Sequence, residues 1–144
     1  MPKVTVNGMQ LAYSEAGTGT PFLFLPGTGG GKEYWAEYQV PFFSKYFRVI
    51  TLDQRGIGES DRVEDHFETR DLADDAVAVL DAIGATEPAH ILGHSMGGRT
   101  AFALYARDPE RIASLGMSAG GHLATMVALR DDPAEPLLPR ATLG

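Results

Sequence analysis

The chain has 144 residues, 44% hydrophobic and 22% charged, with a formal net charge of −7 at pH 7; this suits one globular domain with a substantial core. The acidic balance and singly scattered arginines exclude the basic stripe that a nucleic-acid binder needs, and the lack of cysteine excludes disulfides and thiolate metal sites. With no apolar run after Lys3 to suggest a secretory signal and no stretch nearing the ~18 apolar residues of a membrane helix, a cytoplasmic protein without membrane partners is the expectation.

Taken in chain order, residues 3–17 predict two short strands around Asn7-Gly8, the strongest short-range hairpin signal. The run PFLFLPG (21–27) is apolar until Pro26-Gly27 closes it, as in a strand buried on both faces. A helix follows over KEYWAEYQVPFFSKY (32–46), which Pro41 must interrupt or bend. FRVITLD (47–53) is a second buried-strand run, closed by the turn-rich QRGIGESD (54–61). Over residues 69–83, Leu72, Ala76, Val79, Leu80 and Ile83 fall at helical spacing, with Gly84 placed to end the helix and Pro88 beyond it. Then come the strand AHILG (89–93), the helix SMGGRTAFALYARD (95–108) stopped before Pro109, and the strand RIASLGMSAG (111–120). The tail RDDPAEPLLPRATLG (130–144) carries prolines and no strand signal.

The order β-β-β-α-β-α-β-α-β implies an α/β fold: a mostly parallel, doubly wound sheet with right-handed crossovers, preceded by an antiparallel hairpin. In such sheets function gathers at strand C-termini, which singles out the turns after Leu25, Leu52 and Leu92.

The last of these is Gly93-His94-Ser95-Met96-Gly97, a G-x-S-x-G sequence between a predicted strand and a predicted helix, the setting of a nucleophile elbow. A turn this sharp forces strained backbone on the serine and leaves no room for side chains two residues to either side, where Gly93 and Gly97 stand. Gly98 adds close helix–sheet approach. The turn holds the Ser95 hydroxyl above the sheet edge, beside a helix N-terminus that favours developing negative charge, with the Met96 N–H as the natural oxyanion donor. His94 is read as a wall residue rather than a base. The residues at 27–32 argue against a nucleotide-binding loop, because Gly31-Lys32 is followed by Glu33 rather than Ser or Thr.

With GHSMGG in place, the chain resembles the α/β-hydrolase superfamily, specifically its small serine hydrolases. Two further stretches carry the likeness. FLPGTGGGKEYW (24–35) resembles the loop after the third strand, where the family donates a second oxyanion N–H; the resemblance assigns that donor to the Thr28 backbone. Pro26 stands where the family usually has histidine, which leaves the backbone donor but removes a hydrogen-bonding side chain. LDQRGIGESD (52–61) is close to the D-x-R-G-x-G-x-S turn after the fourth strand. The resemblance gives Asp53, Arg55 and Ser60 an architectural role there. The matches span residues 4–118 in the family's order.

The resemblance implies a serine hydrolase acting by acyl transfer on a small ester, lactone or related carbonyl substrate, with no cofactor and no metal. Ser95 attacks, and the Thr28 and Met96 amides hold the oxyanion. Carbon–carbon bond hydrolysis and cofactor-free perhydrolysis use the same constellation and stay open, whereas the dehalogenase and epoxide-hydrolase branches use aspartate as nucleophile. The family's order is Ser, then acid, then His, yet His122 is the only histidine after Ser95 and does not stand at the family's position. Asp108 and Glu110 sit at the far end of the helix, and Asp131, Asp132 and Glu135 follow later. Residues 1–120 are therefore expected to form the N-terminal part of the core and 121–144 a linker or the start of a cap. The triad acid and histidine would come from a C-terminal half of the same protein or a second copy. A non-catalytic α/β-hydrolase-like binding module is the alternative.

Overall fold

A computed structural model describes residues 2–117; His122, Asp131, Asp132, Glu135 and the 121–144 segment lie outside the described residues. Strands Lys3–Val6 (β1) and Met9–Ala16 (β2) form the expected hairpin. Asn7 (φ 50°) and Gly8 (φ 77°) both take positive φ, the requirement of the tight turn whose twist matches the flanking strands. Strands Pro21–Leu25 (β3), Arg48–Leu52 (β4), Ala89–Gly93 (β5) and Ile112–Met117 (β6) follow. They assemble with the hairpin in the order β1-β2-β4-β3-β5-β6. β2 joins β4 antiparallel, and β4, β3, β5 and β6 are mutually parallel. This is the α/β architecture read from the alternation of apolar runs.

The central strands are buried on both faces, and the two-residue pleat sends alternate residues to separate cores. Leu23, Leu25, Ile50 and Ile91 face Ala73, Ala76, Leu80, Ala101 and Leu104 of the two long helices, Thr69–Ala82 (α2) and Met96–Arg107 (α3). Phe22, Phe24, Val49 and Leu92 point the other way, into Trp35, Phe43 and Phe47. Each fully buried Leu or Phe contributes about 1.5–3 kcal/mol of transfer free energy. Shifting a central strand by one residue would exchange the two cores, so the register is strongly specified.

The 32–46 segment is not one helix. It forms a 3₁₀ turn, Lys32–Trp35, and then a short helix, Gln39–Phe43 (α1). Pro41 is the cause: its missing N–H and its ring are tolerated in the first turn of a helix beginning at Gln39, but not in the interior of one begun at Lys32. α2 ends as its glycine dictates. Gly84 takes φ 77°, its N–H donates to the Asp81 carbonyl at 3.1 Å, and the Ala85 N–H reaches the Leu80 carbonyl at 2.8 Å. α3 stops at Arg107, before Pro109.

Candidate active site

Because β4, β3 and β5 are parallel neighbours, the three turns singled out in the sequence meet at one edge of the sheet. Ser95 links β5 directly to α3 and adopts φ 54°, ψ −115°, a region L-residues avoid. Its side chain is exposed. The glycines around it are a packing necessity. A Cβ on Gly93 would lie 2.6 Å from the Gly97 carbonyl carbon and 2.7 Å from the Gly98 Cα. A Cβ on Gly97 would lie 2.6 Å from the Leu25 carbonyl carbon and 2.7 Å from the Pro26 oxygen. The N-terminus of α3 therefore rests on the end of β3, backbone against backbone.

That contact brings the loop after β3 against the serine. A Cβ on Gly27 would be 3.3 Å from the Ser95 Cβ, and the Thr28 hydroxyl lies 3.6 Å from the Met96 sulfur, across 68 residues of chain. Neither the Thr28 nor the Met96 N–H donates to a backbone acceptor among the described residues. Gly27, Thr28, Gly30, Tyr34, His94 and Ser95 line an open cavity of about 220 Å³. His94 forms part of its wall: the ring stacks on Tyr34 (centroids 5.7 Å apart, planes at 22°), and Nδ1 meets the Tyr34 hydroxyl at 3.4 Å. Tyr34 gave no signal in the sequence, since its place at the cavity depends on the 3₁₀ turn packing against His94, 60 residues further along. His90 is buried elsewhere, with Nδ1 2.7 Å from the Ser114 hydroxyl, and His66 is exposed in the segment before α2.

Behind this rim, the 54–61 turn is held by polar contacts. Asp53, 1% exposed, accepts hydrogen bonds from the Lys32 amide (2.6 Å), the Lys32 ammonium (2.9 Å) and the Glu59 amide (3.0 Å). Burial is the largest single influence on its carboxyl and pushes it up, but the Glu59 and Lys32 amides and the Lys32 charge together outweigh burial and hold it below the usual value. For Lys32, burial pulls down while Asp53, and secondarily Glu59, hold the ammonium above its ordinary value. The Ser60 hydroxyl donates to the Asp53 carbonyl and accepts from the Ala12 amide, tying the turn to β2. Arg55 grips buried Asp75 on α2 with two bonds of 2.7 and 2.8 Å, and the Asn7 amide joins the same carboxylate at 2.9 Å.

A mixed sheet in this strand order, with a serine on a strained strand-to-helix turn at the C-terminal edge, defines an α/β-hydrolase-type protein. The comparisons agree: the family model for the alpha/beta hydrolase fold matches residues 20–138, and the chain belongs to that family. It is similar to a 2-hydroxymuconate semialdehyde hydrolase of a Pseudomonas species, 37% identical over 116 residues, covering 78% of this chain and 41% of that protein. Among solved structures it resembles Est816, described as an N-acyl homoserine lactone degrading enzyme, with TM-score 0.73 and 33% identity over 81% of this chain and 45% of that one. It also resembles the enol-lactonase of Burkholderia xenovorans LB400, with TM-score 0.73 and 31% identity over 79% of this chain and 47% of that one. The chain thus spans about two fifths of the length of the curated relative. Among the described residues, no helix is long and apolar enough to cross a membrane, and no cluster of His, Cys, Asp or Glu could hold a metal ion.

Proposed function

We propose that the protein is a serine hydrolase acting by acyl transfer on a small ester, lactone or related carbonyl substrate. The observation that carries this reading is Ser95: strained, exposed and lining a pocket together with Gly27 and Thr28, with Met96 the next residue along the chain. Strain of this kind costs on the order of 1–3 kcal/mol and persists where surrounding structure over-determines it, most often at functional sites. In the proposed reaction the Ser95 Oγ bonds to the substrate carbonyl carbon, and its proton passes to a histidine base. The carbonyl electrons collect on oxygen, where the two amides stabilise them. Collapse expels the alcohol, which takes the proton, and water then releases the acid.

Among the described residues, the cavity wall carries one histidine, His94, whose Nδ1 is turned to Tyr34, and no carboxylate. We therefore place the base and its orienting acid beyond Met117, in a C-terminal half of the protein or a second copy. Residues 1–120 then form the N-terminal part of the core, and 121–144 a linker or the start of a cap. The lactonase and semialdehyde hydrolase activities in the relatives' names fit the same constellation. The test is labelling of the whole protein with a fluorophosphonate probe, which should modify Ser95 and fail with Ser95→Ala. The missing base among the described residues favours one rival, a non-catalytic binding module; an inert Ser95 in the whole protein would establish it.

A further inference from the structure

We propose that Lys32 and Asp53 are positioning residues for the oxyanion loop, a buried ion pair that fixes where the Thr28 amide points; this rests on the acyl-transfer reading of Ser95. The loop from Pro26 to Gly31 carries Thr28 with no regular secondary structure of its own. One end follows directly on the last residue of β3, and the middle is a tight turn closed by the Gly30 N–H on the Gly27 carbonyl at 3.0 Å. The other end is held only a residue beyond Gly31, by Asp53. One carboxylate oxygen takes the Lys32 backbone N–H at 2.6 Å, and the other takes the Lys32 ammonium at 2.9 Å and the Glu59 amide at 3.0 Å. Asp53 follows β4, so the anchor is the sheet itself.

The approach is so close that side chains are excluded around it. A Cβ on Gly31 would lie 2.6 Å from Asp53 Oδ1, and one on Gly58 would lie 2.6 Å from its Cγ. The Lys32 and Asp53 side chains are 4% and 2% exposed. A buried pair of this kind is a poor way to gain stability, because desolvating both ions consumes most of the attraction between them. Its geometric consequence is definite. The carboxylate grips the same residue by backbone and by side chain, which leaves Lys32, four residues after Thr28, no freedom to rock. A second, part-buried ion pair, Arg55 with Asp75, belongs to the same turn but ties it to α2 and not to the loop. It is the natural control.

The experiment compares wild type, Lys32→Met, Asp53→Asn and Arg55→Met in the whole protein, with p-nitrophenyl acetate as substrate and phenylboronic acid as a tetrahedral-adduct mimic. Complete loss of one oxyanion donor costs about 100- to 1,000-fold in kcat, so a displaced donor should cost about tenfold. Lys32→Met and Asp53→Asn should lower kcat by that factor, leave KM within about twofold, and weaken phenylboronic acid in parallel with kcat. Arg55→Met should lower the unfolding midpoint while sparing kcat and boronate affinity. Equal kcat losses in Lys32→Met and Arg55→Met, or no kcat loss in Lys32→Met, would overturn the proposal, since both pairs would then serve stability alone. If Lys32→Met does not fold, Asp53→Asn, which keeps the shape and one acceptor, decides. Wild type that fails to label at Ser95 sinks the acyl-transfer reading and this inference with it. Labelled wild type with unchanged variant kinetics sinks only the inference.

Discussion

Replacing Gly97 by Ala adds one methyl group at the point where α3 meets β3. Gly97 is the second residue of α3, and on helix propensity alone alanine would be favoured by about 1 kcal/mol. The packing opposes it. The new Cβ would lie 2.6 Å from the Leu25 carbonyl carbon and 2.7 Å from the Pro26 oxygen, both backbone atoms of a paired strand and its first turn. Carbon contacts are comfortable at about 3.5–4.0 Å, and the Leu25 carbonyl oxygen stands nearer still, so helix and strand must separate by at least about 0.9 Å. Such overpacking costs about 1–3 kcal/mol or more, and backbone on both sides puts this case at the upper end, well above the propensity gain. A net loss near 2 kcal/mol lowers the melting temperature by roughly 5–10 °C for a domain of this size. The same displacement carries Ser95 and the Met96 amide away from Thr28, and an error near 1 Å can cost about 100-fold in rate. Calorimetry and the rate of fluorophosphonate labelling measure the two effects. Gly97→Ala with an unchanged melting temperature and wild-type labelling would falsify the claim that the elbow glycines are there for backbone contact.

Ser95→Gly should raise the melting temperature, by the equivalent of about 1–3 kcal/mol of released backbone strain, whereas Ser95→Ala, which keeps φ 54°, should leave it unchanged; both abolish labelling. Gly8→Ala meets nothing within 4 Å, so chemical denaturation should show only the left-handed backbone penalty, about 1–2 kcal/mol, with labelling intact. Asp75→Ala removes the carboxylate on α2 that Arg55 and Asn7 share; loss of one partner of a buried pair costs about 3–5 kcal/mol, and this part-buried pair should lose up to that amount in urea unfolding. Asp53 titrates below its unfolded value, so its stabilising contribution is complete above about pH 4 and is lost as pH falls through the lower folded value. Lys32 titrates above its unfolded value, so its contribution is complete below about pH 10 and is lost as pH rises through the folded value. The stability difference between wild type and Asp53→Asn, followed by urea unfolding, should therefore be flat from about pH 5 to 9 and shrink at the acid end.

Much of the fold was legible because local chemistry and tertiary demand coincide here. Asn7-Gly8 names its own turn, Gly84 its helix end, and the runs at 21–25 and 89–93 their double burial. The break at 32–46 was legible as a break but not as a 3₁₀ turn and a five-residue helix, because Pro41 limits where a helix starts without saying what precedes it. Tyr34 and Lys32 belonged to that segment, and both were missed as site residues. One lines the cavity beside Ser95, and the other is buried against Asp53. No period or motif marks a lysine for burial; only a carboxylate 21 residues further along makes it tolerable.

The sequence by itself determined the βα alternation and the sharp, glycine-flanked turn at Ser95, since these follow from steric rules acting over a few neighbouring residues. The tertiary structure alone decided which turns share an edge, that His94 lies against Tyr34, and that Asp53 clamps the loop carrying Thr28. Those depend on strand order, which places β3 between β4 and β5, and contacts between residues 20 to 70 apart exist only once that order is set.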